Sequence, residues 1–460
     1  MRKMLLLVLA IALVTTGAGA AHGGIPSAHP ASSPHRRSPL LAAPTVTAHR
    51  VSGDSPFDPG ACGSQIDVPN DHGYEIDPSF ALSPKGLVAA WQQDGGLGIV
   101  AAHSVGGATW TQSVPPALSI CQPGTNPSLR VFEPHVVVDG AGTTFLLTGE
   151  YGIVPSVAVS TSPDGGATWS QPTTFTGGGM ISNPAISVDG ADPHATAITW
   201  ISHAPPDAVW FARTTDDGAT WSTPVPIRLT PPGELVANAS MATLPNGTMV
   251  LVTTDFPDGD LPTAYGLPAA NAPGASRKVD ALRSTDGGAT WSETPIASLS
   301  PQGFGPHDPA VGPDGSAYAL VSDLAGSERV WKLFRSIDGA VWSQAATIRL
   351  RDDVFPWPSI AISSDGTIGV LYDDHRNDVP GDDALTTDVW LTLSRDGGVT
   401  WSDLHLGGPF DWNTAIGNSN DANDYEQLHE IGNDFGAVFA LGGPSATEGS
   451  TDIFYARISF

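Results

Sequence analysis

The chain has 460 residues and a formal net charge of −27, with 52 glycines, 41 prolines and 15% charged residues. Such acidity opposes approach to nucleic acid or to an anionic lipid surface, and the turn-rich composition leaves little room for long helices. Length alone would allow two or three domains, but a recurrence running through most of the chain makes it one closed array.

Arg2 and Lys3, an apolar run from Met4 to Val14, and Ala18-Gly19-Ala20 read as an export signal over residues 1–20. The run is too short to cross a bilayer, so no membrane span is expected. Residues 21–44 are rich in Pro, Ser, His and Ala and read as a disordered leader without a core. The remainder, 45–460, is expected to be a single domain, secreted, soluble and monomeric. Cys62 and Cys121 are the two cysteines. In an exported chain they read as a disulfide, whose loop would contribute about 4 kcal/mol by chain entropy, the alternative being two buried thiols.

Beyond the leader the same signal returns. An apolar run ends in an Asp-Gly or Asn-Gly type turn and a second apolar run follows, as in Glu133–Gly149, Asn238–Val252, Asp308–Val321 and Trp357–Tyr372. That is a hairpin signal. A third run leads into a repeated turn and a fourth leaves it, so the unit is a four-stranded antiparallel meander. First strands are expected near Asp77, Glu133, Asn183, Asn238, Asp308, Trp357 and Tyr425. Meanders of this kind stack radially, giving an all-β propeller of seven blades, with six as the alternative. The last unit has three strands of its own, and Thr45–Ser52 is expected to supply the fourth and close the ring.

The repeated turn reads SPDGGATWS at Ser162, TDDGATWS at Thr215, STDGGATWS at Ser284, SIDGAVWS at Ser336 and SRDGGVTWS at Ser394, with a degraded copy at His103–Trp110. Its Asp can bond the backbone of its own turn, its glycines accept positive φ, and its Trp covers the hairpin against its blade. Asp164, Asp216, Asp286, Asp338 and Asp396 are therefore read as structural, because copies on successive blades point to separate places around a ring. The motif resembles the Asp-box, or bacterial neuraminidase repeat, of the sialidase superfamily, over most of the chain from about Asp77. YDDHRND (Tyr372–Asp378), NDYEQL (Asn423–Leu428) and DIFYAR (Asp452–Arg457) are similar to segments of secreted bacterial sialidase-like proteins. This resemblance implies a propeller and leaves cleavage of sialic acid to be shown.

Chain direction sets the working face. Hairpins and repeated turns share one rim, so the starts of the innermost strands meet at the other, together with the longest and least repetitive segments. A retaining sialidase, by that resemblance, uses a Tyr nucleophile with a Glu base, an Asp acid/base and three Arg on the substrate carboxylate. The positions available are Tyr425 with Glu426 or Glu133, Asp77 or Asp308, and Arg130, Arg351 and Arg376, with His307 and Trp357 beside them. An Arg-Ile-Pro motif expected at an early innermost strand is replaced here by IDPSF, FEPHV and SNPAI. A carboxylate pair acting on a neutral sugar with Trp357 as platform, and a non-catalytic propeller binding glycan or protein, are the other readings. Asp373–Asp383 and Asn418–Glu426 are oxygen-rich enough for Ca²⁺, the plainer alternative being solvated acidic loops. No other cofactor is expected.

Overall fold

The computed structural model describes residues 44–57, 74–122, 129–257, 276–301, 303–305, 308–326, 328–349, 357–415, 426–442 and 451–460. The export signal and the leader fall almost wholly outside this set, as do Cys62, His307, Arg351 and Tyr425. Among the described residues no helix is long and apolar enough to cross a membrane.

The domain is a seven-bladed β-propeller of four-stranded antiparallel sheets. Strand β1 (Thr45–Arg50) belongs to the last blade. Blade I holds β2 (Glu75–Ser83), β3 (Gly86–Gln93), β4 (Gly98–Ser104) and β5 (Thr111–Ser113). Blade II holds β6 (Arg130–Val138), β7 (Thr144–Tyr151), β8 (Ser156–Ser162) and β9 (Thr173–Phe175). Blade III holds β10 (Ile181–Val188), β11 (Thr196–Ser202), β12 (Ala208–Thr214) and β13 (Val225–Leu229). Blade IV follows as β14 (Glu234–Thr243), β15 (Met249–Pro257), β16 (Arg277–Ser284) and β17 (Ser292–Leu299). Blade V is β18 (Ala310–Val311), β19 (Ala317–Ala325), β20 (Glu328–Ser336) and β21 (Ser343–Arg349). Blade VI is β22 (Ser359–Ile362), β23 (Ile368–Asp374), β24 (Thr386–Ser394) and β25 (Ser402–Asp411). Blade VII is β26 (Gln427–Ile431), β27 (Asp434–Gly442), β28 (Thr451–Ser459) and, on its outer edge, β1.

Closure follows from pairing between chain ends. Thr45 to Arg50 run antiparallel to Ser459 to Phe454, so the first strand of the domain hides the edge that the last blade would expose. Hydrogen bonds also cross between innermost strands. Ser79 Oγ donates to Gln427 Oε1 at 2.9 Å, Val136 N–H to Ser79 Oγ at 2.8 Å, and Leu428 N–H to Ser359 Oγ at 3.0 Å. Blades II, I, VII and VI are thereby linked around the axis.

Inner strands begin two to four residues from the expected positions, and a bulge explains the early starts. In blades I, II and III the register breaks between Ile76 and Ser79, Phe132 and His135, and Ser182 and Ala185. Asp77, Glu133 and Asn183 occupy the break with φ of 54°, 49° and 46°, each followed by proline. Proline cannot donate to the ladder, and the residue before it is barred from the right-handed helical region. The ladder resumes on the far side of the bulge.

Each repeated turn is a closed hydrogen-bond circuit. In blade IV, Ser284 Oγ donates to Asp286 Oδ1 at 2.8 Å, Gly288 N–H to Ser284 Oγ at 2.9 Å, and Thr290 N–H to Asp286 Oδ1 at 2.9 Å. The same circuit recurs at Asp164, Asp216 and Asp396, and in a shortened form at Asp338. Bonds from the threonine hydroxyl and backbone hold Asp286 and Asp396 down to about 2. A carboxylate so saturated is a poor proton carrier, which supports the structural reading. The tryptophans differ from expectation in one respect: they cover the preceding blade. Trp221 of blade III meets Phe145 and Phe175 of blade II edge-on at 6.3 and 5.5 Å. Trp291 of blade IV meets Phe211 of blade III at 5.5 Å, and Trp110 of blade I meets Tyr455 of blade VII at 5.7 Å.

Candidate functional site

Register fixes which residues share a mouth. Glu75 pairs with Gln93, and Gln93 with Gly98, whereas Ser83 pairs with Gly86 and Leu87 with Ser104 at the other end of the blade. The repeated turn follows Ser104, so Asp77 stands at the opposite rim, as in blade II, where Ser162 pairs with Thr144 and Glu150 with Val131. Asp77, Glu133, Asn183, Asn238, Asp308, Trp357 and Glu426 therefore start or precede innermost strands around one mouth. Two open clefts of about 530 and 520 Å³ lie on the other rim, between repeated turns of blades II and III and of blades III and IV. They are remote from these acids.

The mouth is a ring of acids in unequal environments. Glu426 is 5% exposed at the entry to β26, and burial, followed by the charge of Asp373, pushes its carboxyl well above the usual carboxylate range. Asp373, also buried, comes from the end of β23 in the neighbouring blade. A negative charge at Asp373 disfavours ionisation of Glu426, in the same direction as its burial. Asp308, at the entry to blade V, is pushed up to about 6 by burial alone. Asp77 is buried and accepts the Gln92 side-chain amide at 3.0 Å once that amide is oriented to satisfy both of its neighbours. Glu133 is half-buried in its left-handed bulge. Asp and Asn tolerate that conformation through their short side chains; Glu gains no such relief, and strain of this kind gathers at working sites.

An aromatic wall stands beside the acids in blades IV to VI. Trp357 meets Phe304 edge-on at 5.3 Å and Phe304 meets Phe256 at 5.6 Å. The buried guanidinium of Arg277 lies 4.1 Å over Phe256 and donates to Gly303 O at 2.7 Å. Arg277, Phe256 and Phe304 carry no sequence signal, since the first two sit at strand ends and the third in the connection between blades IV and V, where apolar and charged residues are both common. At blade II, Tyr151 stacks on Phe132 at 4.2 Å and stays partly open to solvent.

Of the arginines expected to bind substrate, Arg130 and Arg376 are described, on blades II and VI. Arg376 donates from Nε to Asp374 at 2.6 Å, from Nη1 to Asp403 at 2.8 Å and from Nη2 to the Tyr372 hydroxyl at 2.6 Å, and it lies 3.9 Å over the Trp390 ring. All three nitrogens serve blade VI. Arg130 opens β6 and donates to Leu129 O at 3.0 Å. Arg351, His307 and Tyr425 lie outside the described residues, as does Cys62, the expected partner of Cys121. Within Asp373–Asp383, Asp374 is held by Arg376 and Asp378 accepts Thr386 N–H at 2.8 Å. Among the described residues no three metal-ligating side chains converge. Most of Asn418–Glu426 falls outside them.

No protein-family model matches the chain. A xyloglucanase from a Paenibacillus species is 29% identical over 259 residues, which are 53% of this chain and 23% of that protein. The chain thus spans less than a quarter of that relative's length. Among solved structures, a Dyadobacter fermentans protein of unknown function superposes with a TM-score of 0.49 at 15% identity, over 90% of this chain and 99% of that one. A GH93 α-L-arabinofuranosidase of Fusarium graminearum has a TM-score of 0.45 at 13% identity, over 90% and 97%. A Hadza microbial sialidase has a TM-score of 0.46 at 19% identity, over 72% and 66%.

Proposed function

We propose that the protein is a secreted, monomeric glycoside hydrolase whose proton donor is a buried carboxyl at the propeller mouth. The observation that carries this is the unequal setting of the acids at the mouth: burial, and then the charge of Asp373, push the Glu426 carboxyl well above the usual carboxylate range. Glycosidic cleavage needs that inequality, an acid to protonate the leaving oxygen and a carboxylate to stabilise or attack the oxocarbenium-like centre. Glu426 is assigned the acid, Asp308 a second candidate acid, and Asp77 and Glu133 the carboxylates across the mouth. Trp357 and Tyr151 offer ring faces to a sugar. The xyloglucanase relative supports a glycan as substrate.

The finer reading is exo-α-sialidase chemistry, with Tyr425 as nucleophile and Arg130, Arg351 and Arg376 around the substrate carboxylate. The committed guanidinium of Arg376 favours a second reading, a neutral sugar cleaved by the carboxyl pair. Fluorogenic sialosides and neutral glycosides assayed side by side separate them. Release from either supports a hydrolase, and Glu426→Gln is expected to lower that release by roughly 10²–10⁴-fold with the fold retained. Silence on every glycoside, with retention on a glycan array, would make the propeller a binding module.

A further inference from the structure

Blade III holds a hydroxyl, an imidazole and a carboxylate in line at its mouth end. Ser182 Oγ is 2.7 Å from His203 Nε2, and His203 Nδ1 is 2.8 Å from Asp207 Oδ2. Ser182 and Asp207 are buried, and the His203 side chain keeps 10% of its surface in contact with solvent. An ionised carboxylate only accepts, so the Asp207 contact places the ring proton on Nδ1 and leaves Nε2 to accept from the serine hydroxyl. This is the polarity that general-base activation of a serine requires.

A purely structural role explains the trio poorly. Ser182 pairs with Ile201 at the register position that is Ile76 in blade I and Phe132 in blade II, so a hydroxyl replaces a large apolar side chain there. The backbone is already anchored without the side chains: His203 N–H donates to Met180 O at 2.8 Å, and Asp207 O accepts Thr230 N–H at 2.9 Å. Among the described residues the other close His–Asp contacts, His194 with Asp217 and His405 with Asp388, bring no serine to the ring. The bulge next to Ser182 turns Asn183 out of the strand's alternation, and its side-chain amide donates to Asn238 Oδ1 of the next blade at 3.5 Å.

We infer that Ser182, His203 and Asp207 form a nucleophilic relay that hydrolyses carboxylic esters, an activity separate from glycoside cleavage. Ser182 Oγ bonds to the ester carbonyl carbon while its proton passes to His203 Nε2. The ester C–O bond then breaks, and the leaving alcohol takes the proton from Nε2. Water, deprotonated by the same nitrogen, then bonds to the acyl carbon, the bond to Oγ breaks, Oγ takes the proton back from Nε2, and the carboxylic acid leaves with no change of oxidation state.

The test is stoichiometric labelling of the folded chain with a fluorophosphonate probe, located by peptide mass mapping, alongside hydrolysis of p-nitrophenyl acetate. One adduct is expected on Ser182. It should be absent in Ser182→Ala with an unchanged melting temperature, and slowed by roughly 10³-fold or more in His203→Gln. Folded wild-type protein that takes no adduct at Ser182, or that labels equally fast in His203→Gln, would overturn the assignment. Neither readout depends on whether any glycoside is cleaved.

Discussion

Arg376 shows how a side chain's role depends on what surrounds it. In sequence it stands in YDDHRND beside carboxylates and looks available to bind an anion; in the fold Asp374, Asp403, Tyr372 and the Trp390 ring share it. Its removal would strand the buried carboxyl of Asp374. Arg376→Ala is therefore expected to cost about 3–5 kcal/mol in urea denaturation, with Arg376→Lys recovering part of it. A substrate clamp would behave differently, raising KM while leaving the denaturation midpoint in place. Glu426 illustrates the converse. Its residue type suggested acid–base work, but the feature that raises its proton affinity is burial, reinforced by the charge of Asp373, and burial is a property of the packed ring.

The repeated turn is the element that carries most of the architecture. Its circuit of serine, aspartate, glycine and threonine is local, spanning a few consecutive residues, which is why five spellings of one motif could be recognised and counted. Its packing is not local. Gly288 has φ of +89°, and a Cβ there would lie 2.3 Å from the Phe211 ring of the preceding blade. Gly288→Ala is expected to destabilise the domain by about 2–4 kcal/mol, combining left-handed strain with overpacking, as read by chemical denaturation. The equivalent substitution at Gly397, which has positive φ but nothing within reach of a Cβ, should cost about 1 kcal/mol from backbone strain alone. A difference between the two would show that these turns join blades as well as closing their own hairpins.

At the scale of the whole molecule the weak point is the seam. Glu75 opens blade I against blade VII, where its N–H donates to Thr451 Oγ1 at 2.8 Å and Arg50 of β1 pairs with Asp452 at 2.5 Å. Burial, and then the charge of Asp452, push the Glu75 carboxyl up to about 8 from an ordinary 4.5, against hydrogen bonds from Ser52 and Gln93. A folded state that binds this proton more tightly than the unfolded chain is favoured at low pH. Stability should fall as pH rises from about 4.5 through 8 and level off above, by an amount on the order of 5 kcal/mol at most. Denaturation at pH 5, 7 and 9 should show this slope in the wild type and its loss in Glu75→Gln. A wild-type slope retained in that variant would place the titrating group elsewhere.

The seven four-stranded blades, the N-terminal closing strand and the rim opposite the turns were all legible, because hairpin chemistry, alternation along a strand and chain direction act between near neighbours in sequence. Ser182 and His203, 21 residues apart, or Glu426 and Asp373 on different blades, leave no such trace. Each is an unremarkable residue until the ring brings it against its partner. Local stereochemistry thus wrote the scaffold into the sequence, while proton affinities and hydrogen-bond partners at the mouth were decided by which strands the closed ring placed side by side.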